Sequence, residues 1–218
     1  MGTVGLFYVG AVLFVNGLML LGLVEGRSAA PINLFVGALQ VLTPTFLLFT
    51  AGTDPAKILA ASGLYLFGFT YLYVGIGQLA GLDSTGVGWF SLFVAVSALG
   101  YSWANFSIVG DAAFGVIWLY WAFLWGLFFV LLGLKRERIA RYTGAVTAIQ
   151  AWVTAAIPAF VLLTSGSLPG WSAVALAVFG VVVFGGLTPL VLRSGGAPPG
   201  QPADRPSRTP GRHGVAAG

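Results

Sequence analysis

Long apolar runs separated by brief polar breaks dominate this chain. Reading from charge to charge, they predict helices near residues 3–23, 31–52, 58–80, 87–108, 112–134, 142–164 and 171–192. Each run is long enough to cross a hydrocarbon core about 30 Å thick, which takes about 20 apolar residues. Strict alternation is missing, and the runs exceed the roughly 9–11 residues of a barrel strand, so a helical bundle is predicted rather than an outer-membrane barrel. Lipid offers the backbone no water, and a helix satisfies its own N–H and C=O groups. Pro31, Pro55 and Pro169 stand at or just before helix starts, while Gly26, Gly52, Gly81, Gly110, Gly166 and Gly170 mark connections. The connections are short, which makes sequential helices neighbours. The first run has no basic leader and no small-residue cleavage site, so a retained helix is expected rather than a removable signal peptide.

Composition agrees with the pattern: 58% of residues are hydrophobic and 7% charged, against about a quarter charged in a soluble domain. The expected class is an all-α membrane protein with about seven transmembrane helices, residues 1–192 forming one transmembrane channel domain. Residues 193–218, rich in Gly, Pro and Arg, bury too little apolar surface to offset chain entropy and are expected to form a disordered tail. His213, the only histidine, falls in that tail as a solvated residue. Arg27, then Lys135, Arg136, Arg138 and Arg141, then Arg193, Arg205, Arg208 and Arg212 follow helices one, five and seven, so they share one side. With an odd number of helices, the amino terminus is expected outside and the carboxyl tail in the cytoplasm. Lys57 is then the one external basic side chain. Cysteine is absent, so disulfides and thiolate metal sites are excluded.

The predicted spans contain no Asp, Glu, Lys, Arg or His, the groups that ion coupling, proton pumping or haem ligation requires at membrane depth. No paired-Asp or His-Glu-x-x-His arrangement supports hydrolysis within the membrane. No catalytic residue, metal ligand or cofactor site is assigned, and nothing points to nucleic acid. What the spans hold is aromatic and amide side chains. In helix three, Phe67, Tyr71, Val74 and Gln78 follow spacings of four, three and four and share one face. In helix five, Trp118, Trp121, Trp125 and Phe128 share another. In helix one, Leu6 and Leu13 lie seven apart, with Asn16 near the same face. Aromatic stripes also serve lipid contact and packing. Trp121 and Tyr71, however, fall toward the middles of their spans, where indole N–H and phenol O–H need polar partners or a hydrated cavity. Asn16, Gln40, Asn105 and Gln150 add amides at or near membrane depth, each costing roughly 2–7 kcal/mol if buried unpaired. Interhelical hydrogen bonds are the alternative, most of all for Gln40 and Asn105. Gln150, midway along helix six, is the stronger lining candidate.

At these residues the chain resembles the AmiS/UreI family of urea channels and amide transporters. The segments are GLFYVGAVLFVNG from Gly5, NLFVGAL from Asn33, LFGFTYLY from Leu66, WFSLFVAV from Trp89, IWLYWAFLW from Ile117 and TAAIPAF from Thr154, in that order. The resemblance implies two three-helix units of inverted topology, a homo-hexamer in which each protomer encloses its own channel, and a place in the bacterial inner membrane. It makes Leu6, Leu13, Phe67, Tyr71, Trp118, Trp121 and Trp125 the constriction lining. At the position matching Gln150, the acid-gated urea channels of the family carry a pore-facing glutamate. External histidines and a long acidic loop are also missing here, so acid gating is not expected. The seventh helix exceeds the urea-channel pattern, which places the chain nearer the amide-transporter branch.

The function expected is a passive channel for urea or short-chain aliphatic amides, crossing in single file between Trp and Tyr rings. Ions are excluded because nothing replaces their hydration. The competing readings are an alternating-access carrier of a small neutral metabolite, compatible with helix prolines Pro44, Pro158 and Pro189, and a non-transporting scaffold subunit for an amidase. Expected partners are the permeant, the bilayer, further copies of the chain, and a cytoplasmic amidase or urease.

Overall fold

The computed structural model describes residues 2–194. Helices α1 (Gly2–Leu20), α2 (Gly26–Ala51) and α3 (Pro55–Ala80) are continuous. Helix α4 (Thr85–Ala104) ends in a wide π-helical stretch, Asn105–Val109, and α5 (Ala112–Phe128) ends in another, Phe129–Gly133. A 3-10 turn, Glu137–Ile139, leads into a sixth span built from α6 (Ala140–Gln150), a π-helical stretch Ala151–Ala156 and α7 (Ile157–Ser165). Helix α8 (Ser172–Ser194) follows. Six segments are long and apolar enough to cross a bilayer, and α8 adds a shorter apolar stretch, Ser172–Gly186. The protein is an all-α, multi-pass membrane bundle with no strand among the described residues. The expected disordered tail and His213 lie outside the described residues, except that residues 193 and 194 still belong to α8.

Helix ends follow local chemistry. The Asp54 carboxylate accepts from the N–H groups of Ala56 and Lys57 at 3.0 and 3.2 Å, with Pro55 as the first helical residue, where its missing N–H costs nothing. Asp111 caps α5 by accepting from Phe114 N–H at 3.0 Å. Gly81 closes α3 in the left-handed region, at φ 66°. Pro31 departs from its predicted place at a helix start and lies inside α2, which begins five residues earlier. The carbonyl it leaves without a partner belongs to Arg27, in an exposed first turn where water can serve it. In the sixth span, the widened turns stand just before Pro158, which cannot donate to the preceding turn.

Small residues set the closest helix pairs. A β-carbon at Gly17 of α1 would come within 2.6 Å of the Ala148 nitrogen on α6. One at Gly37 of α2 would come within 2.8 Å of Leu72 on α3, and Gly88 of α4 lies directly against Gly133 beyond α5. The outer surface is apolar, with Phe49 86% and Phe35 72% exposed, while amides and hydroxyls such as Asn33, Gln40, Ser91 and Thr147 are buried. Such an inverted polarity suits a lipid solvent. Among residues 2–186 every charged side chain lies in a connection or a terminal helical turn. Arg27 donates to the Leu79 carbonyl at 3.2 Å, and Lys135 Nζ lies 2.7 Å from Asp83, so the basic connections after helices one and five gather at one end of the bundle. Helix α8 packs on α5, where Tyr120 donates to the Leu176 carbonyl at 2.6 Å and its ring meets Phe184.

Candidate functional site

Two cavities lie between α1, α3 and α5, one toward each end of the bundle. The larger, about 420 Å³, is bordered by the helix-end residues Gly2, Thr3, Ala56 and Val109 and reaches inward to Leu6, Gln40, Phe67, Trp118 and Trp121. The smaller, about 180 Å³, is bordered at its outer limit by Leu82, Asp83 and Ser84 and reaches inward to Leu13, Asn16, Thr70, Tyr71 and Trp125. No described residue borders both. They are separated by a partition of fully packed rings: Phe67, Tyr71 and Trp125 are 2%, 1% and 0% exposed.

Phe67 is the centre of that partition. Its ring centroid lies 4.7 Å from Trp121 and 5.1 Å from Trp125, both edge to face, and 5.6 Å from Trp118. Such edge-on pairs are the geometry aromatic quadrupoles favour. Trp118 in turn stacks on Tyr101 at 4.5 Å with planes 18° apart, and Tyr101 shares a 2.7 Å hydroxyl bond with Ser62. The indole N–H groups are also engaged. Trp121 Nε1 donates to Thr154 Oγ1 at 3.1 Å and Trp125 Nε1 to Thr70 Oγ1 at 3.3 Å. Each threonine hydroxyl then donates to a carbonyl one turn back, Gln150 and Leu66 respectively, at 2.7 Å. The two tryptophans are thus held in orientation by neighbouring helices rather than by solvent.

The stripes read from helical spacing all reach one of the cavities. Leu6, Phe67, Trp118 and Trp121 border the larger, and Leu13, Asn16, Tyr71, Val74, Gln78, Trp125 and Phe128 border the smaller. Gln150 borders neither, although it is completely buried and both side-chain polar atoms lack a partner. It lies one turn from Thr154, whose hydroxyl donates to its backbone carbonyl. The relative weights of the amides therefore change. Gln40 and Asn105, for which interhelical bonding was the leading alternative, border the larger cavity, and Gln40 Oε1 has no hydrogen-bond partner. Asn105 donates to the Tyr101 carbonyl one turn back.

Spacing did not indicate Asn33, Thr70 and Thr154. Asn33 forms a reciprocal carboxamide pair with Asn16, at 2.9 and 2.8 Å, and also donates to the Ala29 carbonyl at 2.8 Å. The two threonines fix the indoles. Their signal was a hydroxyl inside an apolar run, which alone is equally consistent with bonding back to its own helix, and both also do that. At the basic end, the Asp83 carboxyl is held well below the usual carboxylate range, first by the Lys135 ammonium bond and then by Thr85. Among the described residues, Asp83 is the only charged one bordering either cavity. No group of His, Cys, Asp or Glu able to hold a metal occurs among the described residues.

The sequence pattern of the AmiS/UreI family transporter matches residues 1–166. AmiS2 of Rhodococcus erythropolis is 56% identical over 187 residues, covering 83% of this chain and 91% of that protein. The acid-activated urea channel of Helicobacter pylori (strain ATCC 700392 / 26695) is 34% identical over 186 residues, covering 72% of this chain and 94% of the channel. The cryo-electron-microscopy structure of the Helicobacter pylori urea channel in its closed state superposes with a TM-score of 0.70 at 31% identity, covering 77% of this chain and all of that one.

Proposed function

The chain belongs to the AmiS/UreI family of transporters, and from that premise we propose that it is a passive channel for urea or short-chain aliphatic amides. The observation that carries the reading is the pair of cavities set end to end across one aromatic partition on α1, α3 and α5. A planar amide slides edgewise between rings, exchanging hydrogen bonds with Asn16, Tyr71, Gln78 and Gln40 as it leaves water. Tyr71 suits this role because the residue borders the smaller cavity and its buried hydroxyl has no protein partner. Gln150 contributes only its backbone carbonyl, which accepts from the Thr154 hydroxyl that in turn accepts from the Trp121 indole. Contacts that are loose and sequential let the solute leave as readily as it enters.

The basic end, with Arg27 and Lys135, faces the cytoplasm by the positive-inside rule, which puts the amino terminus and the larger cavity outside. The membrane is the bacterial inner membrane, each protomer of a homo-hexamer conducts separately, and the solute feeds a cytoplasmic amidase or urease. Stopped-flow uptake of urea, acetamide and formamide into liposomes carrying the purified protein is expected to exceed protein-free uptake for all three. Tyr71→Phe is expected to slow it by about threefold to tenfold, the worth of roughly one net hydrogen bond. Uptake equal to bare liposomes would remove the channel reading.

The same closed partition favours one second reading, an alternating-access carrier whose two cavities open in turn. Counterflow and saturation would identify it, and neither is expected of the channel.

Conduction should be insensitive to acid. The charged residue on the lining is Asp83, and its lowered value means that the ionised form is favoured in the folded protein. That stabilisation is present above the ordinary carboxylate range and is lost only as pH falls through the still lower folded value. Uptake rates measured from about pH 8 down to about pH 5, the range a histidine switch would use, are expected to agree within about twofold. A steep rise on acidification would require a titrating group elsewhere on the corridor.

A further inference from the structure

A third cavity, about 520 Å³, lies at the end of the bundle opposite the basic connections, between the α4–α5 connection and the α7–α8 connection. Val109 and Leu162 border both this space and the larger cavity, so the two adjoin. The rest of its wall includes Gly110, Asp111, Gly166, Ser167 and Gly170, which belong to the connections rather than to apolar helix faces. The α7–α8 side of that wall is fixed at both ends. Gly166 closes α7 in the left-handed region, at φ 79°, its N–H donating to the Leu162 carbonyl at 3.0 Å, and Ser172 N–H donates to the Pro169 carbonyl at 2.9 Å. Beyond it, α8 is tied to the bundle by Tyr120, which donates to the Leu176 carbonyl, and by the hydroxyl bond between Tyr142 and Thr188. Residues 167 onward lie past the stretch that the family pattern matches, so this side of the wall is an addition to that pattern.

We infer that this space is an antechamber of the solute path, in which urea and primary amides shed water before they enter the larger cavity. The inference rests on the channel reading above and adds where the solute enters and which segment it meets first. A solute passing straight from water into an aromatic slot gives up its hydrogen bonds in one step, and an amide left without partners costs roughly 2–7 kcal/mol. A chamber walled by connections divides that cost, because it sets polar groups beside the solute while water is still present. Asp111 is the only charged residue among the described ones bordering the space. Its carboxylate already accepts from Phe114 N–H at 3.0 Å, and a carboxylate keeps acceptor positions to spare for the N–H groups of an amide.

The chain has no cysteine, so a single introduced thiol is labelled alone. Ser167→Cys places it on the antechamber wall, and Thr53→Cys places it in the α2–α3 connection, exposed at the same end but bordering none of the three cavities. Each full-length variant is treated in detergent with benzyl methanethiosulfonate, reconstituted, and compared with its own untreated sample for urea and acetamide uptake. The label is expected to slow both solutes about fivefold in Ser167→Cys and to leave Thr53→Cys within about twofold of its untreated rate. Dithiothreitol, which removes the label, should restore the Ser167→Cys rates. Gly170→Cys, where a β-carbon meets nothing within 4 Å, takes its place if that variant does not assemble. Uptake that the antechamber label leaves unchanged overturns the inference, and so does equal slowing at both positions. Untreated protein that passes neither solute overturns the channel reading instead, so the two failures are distinguishable.

Discussion

In liposomes carrying Phe67→Ala, urea and acetamide are expected to equilibrate about tenfold faster than with the parent protein, a barrier lower by about 1.4 kcal/mol. Preference for small solutes over propionamide is lost in the same variant. The reason is position: the Phe67 ring touches Trp118, Trp121 and Trp125 at the plane where the two cavities fail to meet. Truncation to a methyl group removes the ring and leaves the indoles behind. They do not fall into the space, because Thr154 and Thr70 hold the N–H groups of Trp121 and Trp125. Releasing either would sacrifice about 1 kcal/mol of hydrogen bonding. A Phe→Ala change in a closed core costs about 3–5 kcal/mol. Here the loss should be smaller, since the space opened joins the larger cavity, which Phe67 already borders. Thermal unfolding in detergent measures that cost separately from flux. Unchanged flux in a folded Phe67→Ala protein would place the barrier elsewhere.

The α3 and α5 stripes were readable because a helix repeats every 3.6 residues and each stripe ran over three turns. Phe67 to Gln78 and Trp118 to Phe128 all border the cavities. The helix count was readable for a coarser reason, that a bilayer demands about 20 apolar residues whatever the fold. What periodicity could not say is what faces the stripe. Gln150 and Gln40 are alike in sequence terms, each an amide mid-run. The difference lies in which of them reaches a cavity: Gln40 borders the larger one and Gln150 borders neither.

The same limit applies to the start of α2. Pro31 predicts a helix start because its ring excludes a preceding turn, yet an exposed Arg27 carbonyl can take water, so the helix begins earlier at Gly26. Asn33 opens the apolar segment NLFVGAL. Nothing local marks it as half of a pair, because its partner Asn16 lies 17 residues away on another helix.

That pair gives the second large effect, and it should be asymmetric. Asn16→Leu leaves Asn33 completely buried with its oxygen unmet and one remaining bond, to the Ala29 carbonyl at 2.8 Å. A buried group so stranded costs about 1–3 kcal/mol beyond the bonds lost, so this variant is expected to be less stable by about 2–3 kcal/mol. Asn33→Leu strands Asn16 instead, but Asn16 borders the smaller cavity, where water can replace both bonds. Its cost should be about 1 kcal/mol or less, near the typical worth of an intramembrane hydrogen bond. The double variant strands neither amide and should recover most of the Asn16→Leu loss, giving a coupling of about 1–2 kcal/mol in a double-mutant cycle. Denaturant titration in mixed micelles reads all three. Equal losses for the two single variants would mean that the smaller cavity is dry at Asn16, and a dry end there is incompatible with a solute path through the protomer.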